Sequence, residues 1–220
     1  MSKAREKIFQ RLKKLSSQPP RQNDSGPSAI ESRLSARDRA LLPVLPKPVH
    51  ELFIAKVEQA AASVACINNI SELAGAVSEY LALWNIERRL VASPTDVLRQ
   101  LSWPEGMEIE YRAAVSSDIT SLCVAYAGIA ETGTLVLCSG RDTPTTLNFL
   151  PDNYICVVRH DDIYPYMEDI WSLLREEGNG PPRAINFITG PSRTADVEQT
   201  IQLGAHGPRR VHVIIIDPGQ

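Results

Sequence analysis

Ile155-Cys156-Val157-Val158 and Val211-His212-Val213-Ile214-Ile215-Ile216 are almost unbroken apolar, β-branched runs, too short for helices and too apolar for strands with one wet face. That pattern suits central strands of a parallel sheet, which are buried on both faces. Similar short runs occur at Arg89–Ala92, Met107–Tyr111, Val124–Ala130, Thr134–Cys138 and Ala184–Thr189. Between several of them lie helical patterns, at Pro94–Leu101, Tyr164–Glu177 and Ala195–Leu203. Ser93-Pro94 supplies an N-cap followed by proline at the first helical position. Strands alternating with helices predict an α/β fold, with a mostly parallel sheet in the middle of three layers.

Upstream, residues 50–66 and 71–84 are rich in Ala, Leu and Val and read as helices over the sheet, with Ser71 as the N-cap of the second. Residues 16–48 contain Pro19, Pro20, Pro27, Pro43, Pro46 and Pro48 among serines and charges, with no sustained period, and read as a linker. Residues 3–15 form a candidate basic amphipathic helix, with Ile8, Leu12 and Leu15 on one face. The expected division is therefore an N-terminal helical segment and linker over 1–48 and an α/β domain over 49–220.

Of the 220 residues, 43% are hydrophobic, enough for one sizeable core. The formal net charge of −3 is uneven: residues 1–15 carry +5, leaving about −8 on the rest. So acidic a body is a poor match for nucleic-acid phosphates. No apolar run reaches the roughly 18–20 residues that span a bilayer, and no apolar stretch follows the basic start as in a signal peptide. A cytoplasmic location is the expectation. Cys66, Cys123, Cys138 and Cys156 are scattered, with no paired spacing for zinc or an iron–sulfur cluster. Neither metal nor cofactor is expected.

Ligands of open α/β sheets bind beyond the carboxyl ends of strands, so the loops after the runs are where chemistry is sought. In Ala130-Glu131-Thr132-Gly133-Thr134, Gly133 allows a tight turn or close approach to a ligand. Glu131 there is a candidate nucleophile, base or hydroxyl acceptor. The plain alternative is a hairpin with a solvated glutamate. Ile188-Thr189-Gly190-Pro191-Ser192-Arg193-Thr194-Ala195-Asp196 reads as a glycine loop entering a helix. Gly190 and the free helix N–H groups, with Ser192, Arg193 and Thr194, suit a carboxylate or phosphate. Against this, Asp196 and Glu198 can cap the helix themselves. In Gly204-Ala205-His206-Gly207-Pro208, Gly204 suits a helix stop and His206 is a candidate acid or base, or a hydrogen-bonding turn residue. His160-Asp161-Asp162 is too local for a metal site, and Asp162 suits the entry to the next helix. Arg141-Asp142-Thr143-Pro144 reads as another loop-to-helix entry.

These three loops, in this order and spacing, resemble the lactate-utilisation protein C family, or LUD domain, over roughly residues 50–217. The resemblance implies a fold similar to the glucosamine-6-phosphate deaminase, ribose-5-phosphate isomerase and CoA-transferase group. It implies a part in oxidation of L-lactate to pyruvate beside iron–sulfur partner proteins. Without cluster-binding cysteines, this chain would be an accessory component that binds a small anion, with Glu131, Thr132, Gly133 and Thr134 on one wall. Similarity to CoA transferases makes Glu131 a candidate acyl nucleophile, although Thr132 stands where asparagine is usual. The alternatives are an enzyme acting on a phosphorylated or CoA-linked substrate and a non-catalytic assembly protein.

Overall fold

The computed structural model describes residues 9–10, 31–32, 42–178, 180, 182–195, 201–204 and 206–218. The chain divides into two compact units, Met1–Leu42 and Pro43–Gln220. Of the first, Phe9–Gln10 and Glu31–Ser32 are helical; the rest of the basic helix expected over 3–15 and most of the expected linker lie outside the described residues.

The second unit is built around six parallel strands: β1 (Ser63–Ile67), β2 (Arg89–Ala92), β3 (Glu108–Tyr111), β4 (Thr120–Val124), β7 (Asn153–Arg159) and β12 (Arg210–Ile216). Their order is β1-β12-β7-β4-β2-β3. The two apolar runs are the central neighbours β7 and β12, and their side chains alternate between two cores. Tyr154, Cys156, Val158, Val211, Val213 and Ile215 enter one core, with α1 (Val49–Gln59). Ile155, Val157 and Ile214 enter the other, beneath α2 (Leu73–Leu83) and the short α3 (Asp96–Arg99).

A second, mixed sheet joins α1 on the first face. It contains β5 (Ala127–Ile129), β6 (Thr134–Cys138), β8 (Ile163–Tyr164) and β9 (Ile185–Ile188), in the order β8-β5-β6-β9. Leu135 and Leu137 face the main core, while Val136 on the opposite face packs with Ile170 and Leu174 of α4 (Met167–Glu176). The fold is α/β with a parallel central sheet, as expected.

Several local expectations are corrected. The helix expected over 50–66 ends at Gln59, because Ala61 turns left-handed at φ 63° and Ser63–Ile67 then pairs with β12. Ala61 and Ala62 donate back to Glu58 and Val57, a Schellman stop. Before α2 the side chain of Asn69, not Ser71, caps a 3₁₀ turn over Ile70–Glu72. The helix expected over Pro94–Leu101 shrinks to four residues behind Thr95. The single run Val124–Ala130 breaks at Ala125–Tyr126, its halves joining different sheets. Arg141–Pro144 opens onto a 3₁₀ turn, Thr145–Asn148, rather than a helix, and Asp162 belongs to a 3₁₀ turn well before α4.

The helix expected over Ala195–Leu203 is replaced by antiparallel strands β10 (Arg193–Ala195) and β11 (Ile201–Leu203). Thr194 and Ile201 are β-branched, and backbone pairing across the ribbon satisfies groups that a helix would have bonded internally. The helix N-terminus expected to cradle an anion after Gly190 is therefore not formed.

Candidate functional site

The first motif loop turns between β5 and β6. Gly133 sits at φ +67°, its N–H bonded to Ile129 O at 2.9 Å. A Cβ there would lie 2.5 Å from backbone atoms of Lys56 and Val57. Gly190, at the end of β9, has φ +70°, and its Cβ would lie 2.2 Å from Ala60 O. Both glycines thus answer to close approach by the end of α1. The loops also meet through a row of hydroxyls: Thr132 Oγ1 to Thr134 Oγ1 at 2.7 Å and Thr134 Oγ1 to Thr189 Oγ1 at 2.6 Å.

Glu131 Oε1 accepts the Met167 N–H at 2.9 Å, so its carboxylate caps the start of α4. Asp169 Oδ2 accepts the neighbouring Tyr166 N–H at 2.9 Å. An open cleft of about 470 Å³ borders these groups, lined by Glu131, Thr132, Thr134 and Thr189, apolar Met167 and Phe187, and Lys56 and Gln59 of α1. Lys56 Nζ donates to Gln59 Oε1 at 3.0 Å.

The second and third motif loops are latched together. Ser192 N–H donates to Pro208 O at 2.9 Å and Gly204 N–H donates to Ser192 O at 3.1 Å. A Cβ on Gly207 would stand 3.2 Å from Ser192 Cβ. Arg193 and His206 are exposed on this neighbouring ribbon and loop, and Thr194 pairs through its backbone with Gln202. A hydroxyl bond thus joins the first motif to the second, and backbone bonds join the second to the third. The described cleft lining comes from the first motif, Phe187 and Thr189, the start of α4 at Met167 and the end of α1; Ser192, Arg193 and His206 are not part of it.

Lys56 and Gln59 escaped sequence reasoning, since nothing marks a lysine on an amphipathic helix as facing a cleft. Thr189 stood inside a quoted motif, yet only its contact with Thr134 gives it a role. Among the described residues no three His, Cys, Asp or Glu side chains converge as metal ligands. No described helix is long and apolar enough to cross a membrane.

Residues 50–216 match the LUD domain. The chain belongs to the LUD domain family. Among relatives of this LUD domain protein, a lactate utilization protein C from Anoxybacillus flavithermus is 41% identical over 115 residues, covering 51% of this chain and 48% of the relative. The lactate utilization protein C of Bacillus subtilis is 38% identical over 91 residues, covering 40% and 38%. The LUD domain chain thus spans about half, or less, of these relatives' own length. A solved DUF162-family protein from Deinococcus radiodurans shares the fold, with a TM-score of 0.58 at 22% identity, covering 79% of this chain and 99% of that one.

Proposed function

We propose that this LUD domain protein serves lactate utilisation in the cytoplasm as an accessory component of L-lactate oxidation to pyruvate. In this reading it works beside iron–sulfur partner proteins and holds a small carboxylate in the cleft beside Glu131. Kinship with proteins named lactate utilization protein C supports the pathway. The threonine row in a cleft that also presents Lys56 carries the ligand reading.

Three hydroxyls joined by two hydrogen bonds use two of their three protons internally. One proton is left to donate outward, beside Lys56, the lone positive side chain of the lining among the described residues. A 2-hydroxy or 2-oxo acid fits this division. Its carboxylate pairs with Lys56, its oxygen function meets the threonine row or Glu131, and its short apolar end rests on Met167 and Phe187. Gly133 and Gly190 set the turns that present Thr132, Thr134 and Thr189. Ser192, Arg193 and Thr194, with His206 as a candidate acid or base, form the adjoining rim in this proposal.

A charge-assisted contact contributes about 1.5–3 kcal/mol, so losing it weakens binding about tenfold or more. Isothermal titration with L-lactate and pyruvate on wild type, Lys56→Ala and Arg193→Ala tests the assignment. Weakening in Lys56→Ala is the expected result. Weakening confined to Arg193→Ala would move the anion to the β10–β11 ribbon. Equal affinity in all three would remove the carboxylate site.

A further inference from the structure

A second cavity, of about 510 Å³, opens where β2 and β4 end. In the order β1-β12-β7-β4-β2-β3 the chain leaves β2 for β3 on one side and β4 for β7 on the other. Their carboxyl ends therefore mark the point where the strand order reverses, the crevice in which open parallel sheets bind ligands. Thr95 follows β2, Ala125 and Tyr126 follow β4, Cys138 and Ser139 end β6, and Glu177 ends α4; all line the cavity. The carboxylate site uses none of them.

Among the described residues, Thr95 Oγ1 of the lining is buried without a partner, as is Ser93 Oγ, two residues earlier, behind the lining and 0% exposed. An unmet buried hydroxyl is a cost to the folded state, and a bound ligand would offset it. Tyr126 Oη donates to Glu177 Oε1 at 2.6 Å, leaving the second carboxylate oxygen and the phenol lone pairs as acceptors. Burial, then the bond to Glu177, pushes the Tyr126 phenol up, and burial pushes the Cys138 thiol up to about 11, so both stay neutral. Among the described residues Glu177 is then the one charged side chain of the lining, and Val124, Ala125 and Leu174 make it partly apolar. Acceptors without a cation repel carboxylates and phosphates, while apolar walls and Tyr126 suit a flat, uncharged ring.

We infer that the crevice between the ends of β2 and β4 binds a neutral heterocycle carrying an amino or carboxamide NH2 group. The NH2 group donates to Glu177, and a ring or carbonyl acceptor takes the Thr95 hydroxyl proton.

The test is titration of the full chain, by ligand-observed NMR and calorimetry, with nicotinamide, its anionic counterpart nicotinate, and adenosine. Nicotinamide or adenosine should bind saturably and nicotinate about tenfold or more weakly. Thr95→Val and Glu177→Ala should each weaken the neutral ligand severalfold, and saturating L-lactate should leave its affinity unchanged. No saturable binding of either neutral ring, equal binding of nicotinate, or indifference to both substitutions would overturn the inference. Competition with L-lactate would also overturn it, by merging this crevice with the carboxylate cleft. Failure of lactate to bind at all would instead count against the proposed function alone.

Discussion

Gly133 combines a positive φ with contact so close that its missing Cβ would overlap the backbone of α1 at Lys56 and Val57. Backbone cannot step aside as a flexible side chain can. Gly133→Ala should therefore lower unfolding free energy by more than the roughly 1 kcal/mol of backbone preference alone, on the order of 2–4 kcal/mol. Urea denaturation measures this; a loss under about 1 kcal/mol would mean that α1 shifts freely. The need for glycine was legible in the loop, but its neighbour was not, because α1 lies more than seventy residues earlier in the chain.

At the scale of elements, helix ends make two further predictions. α1 stops with a left-handed alanine, Ala61 at φ 63°, where glycine would be relaxed. Ala61→Gly should stabilise the protein by about 0.5–1 kcal/mol, seen as a raised urea midpoint. A lowered midpoint would show that the Ala61 methyl contributes more by packing than its backbone costs. At the start of α4, Glu131 is both cap and candidate chemical group. Glu131→Ala should cost about 1 kcal/mol, whereas Glu131→Gln keeps an acceptor for Met167 N–H and should cost less. Equal losses in the two variants would assign the effect to charge rather than to the hydrogen bond. The β10–β11 ribbon shows why element type was misread there: nine residues with mixed spacing fit a helix about as well as a hairpin, and cross-strand bonding chose the hairpin.

Across the whole molecule, acid sensitivity is expected from a histidine sealed under α2. His212 on β12 is 6% exposed, stacks on Tyr80 with ring centres 4.2 Å apart, and lies 2.8 Å from Ser63 Oγ through Nδ1. Burial holds its pKa down, from 6.5 to about 4. The unfolded chain therefore takes up the proton first as pH falls. Stability from this group is full above about pH 6.5, drains away between about 6.5 and 4, and changes little below, a loss of order 3 kcal/mol. Urea unfolding at about pH 7 and pH 4.5 should show the decline, and His212→Gln should shrink the difference between the two. An unchanged difference in the variant would place the acid sensitivity in other groups.

The apolar runs at Ile155–Val158 and Val211–Ile216 by themselves determined a buried parallel sheet, because a strand with apolar side chains on both faces has no face to show water. The tight turn at Gly133 was equally plain, since local backbone geometry is a property of the residue; Gly204 also turns with a positive φ, but it ends strand β11 and not the helix it was expected to stop. Only the tertiary structure decided the strand order, the break of Val124–Ala130 between two sheets, the service of Glu131 to α4, and the crevice beyond β2 and β4. Those features depend on partners far apart in sequence, such as Ser63 and His212, which lie 149 positions apart. A local pattern records which way a side chain faces; what it meets there is settled when the layers pack.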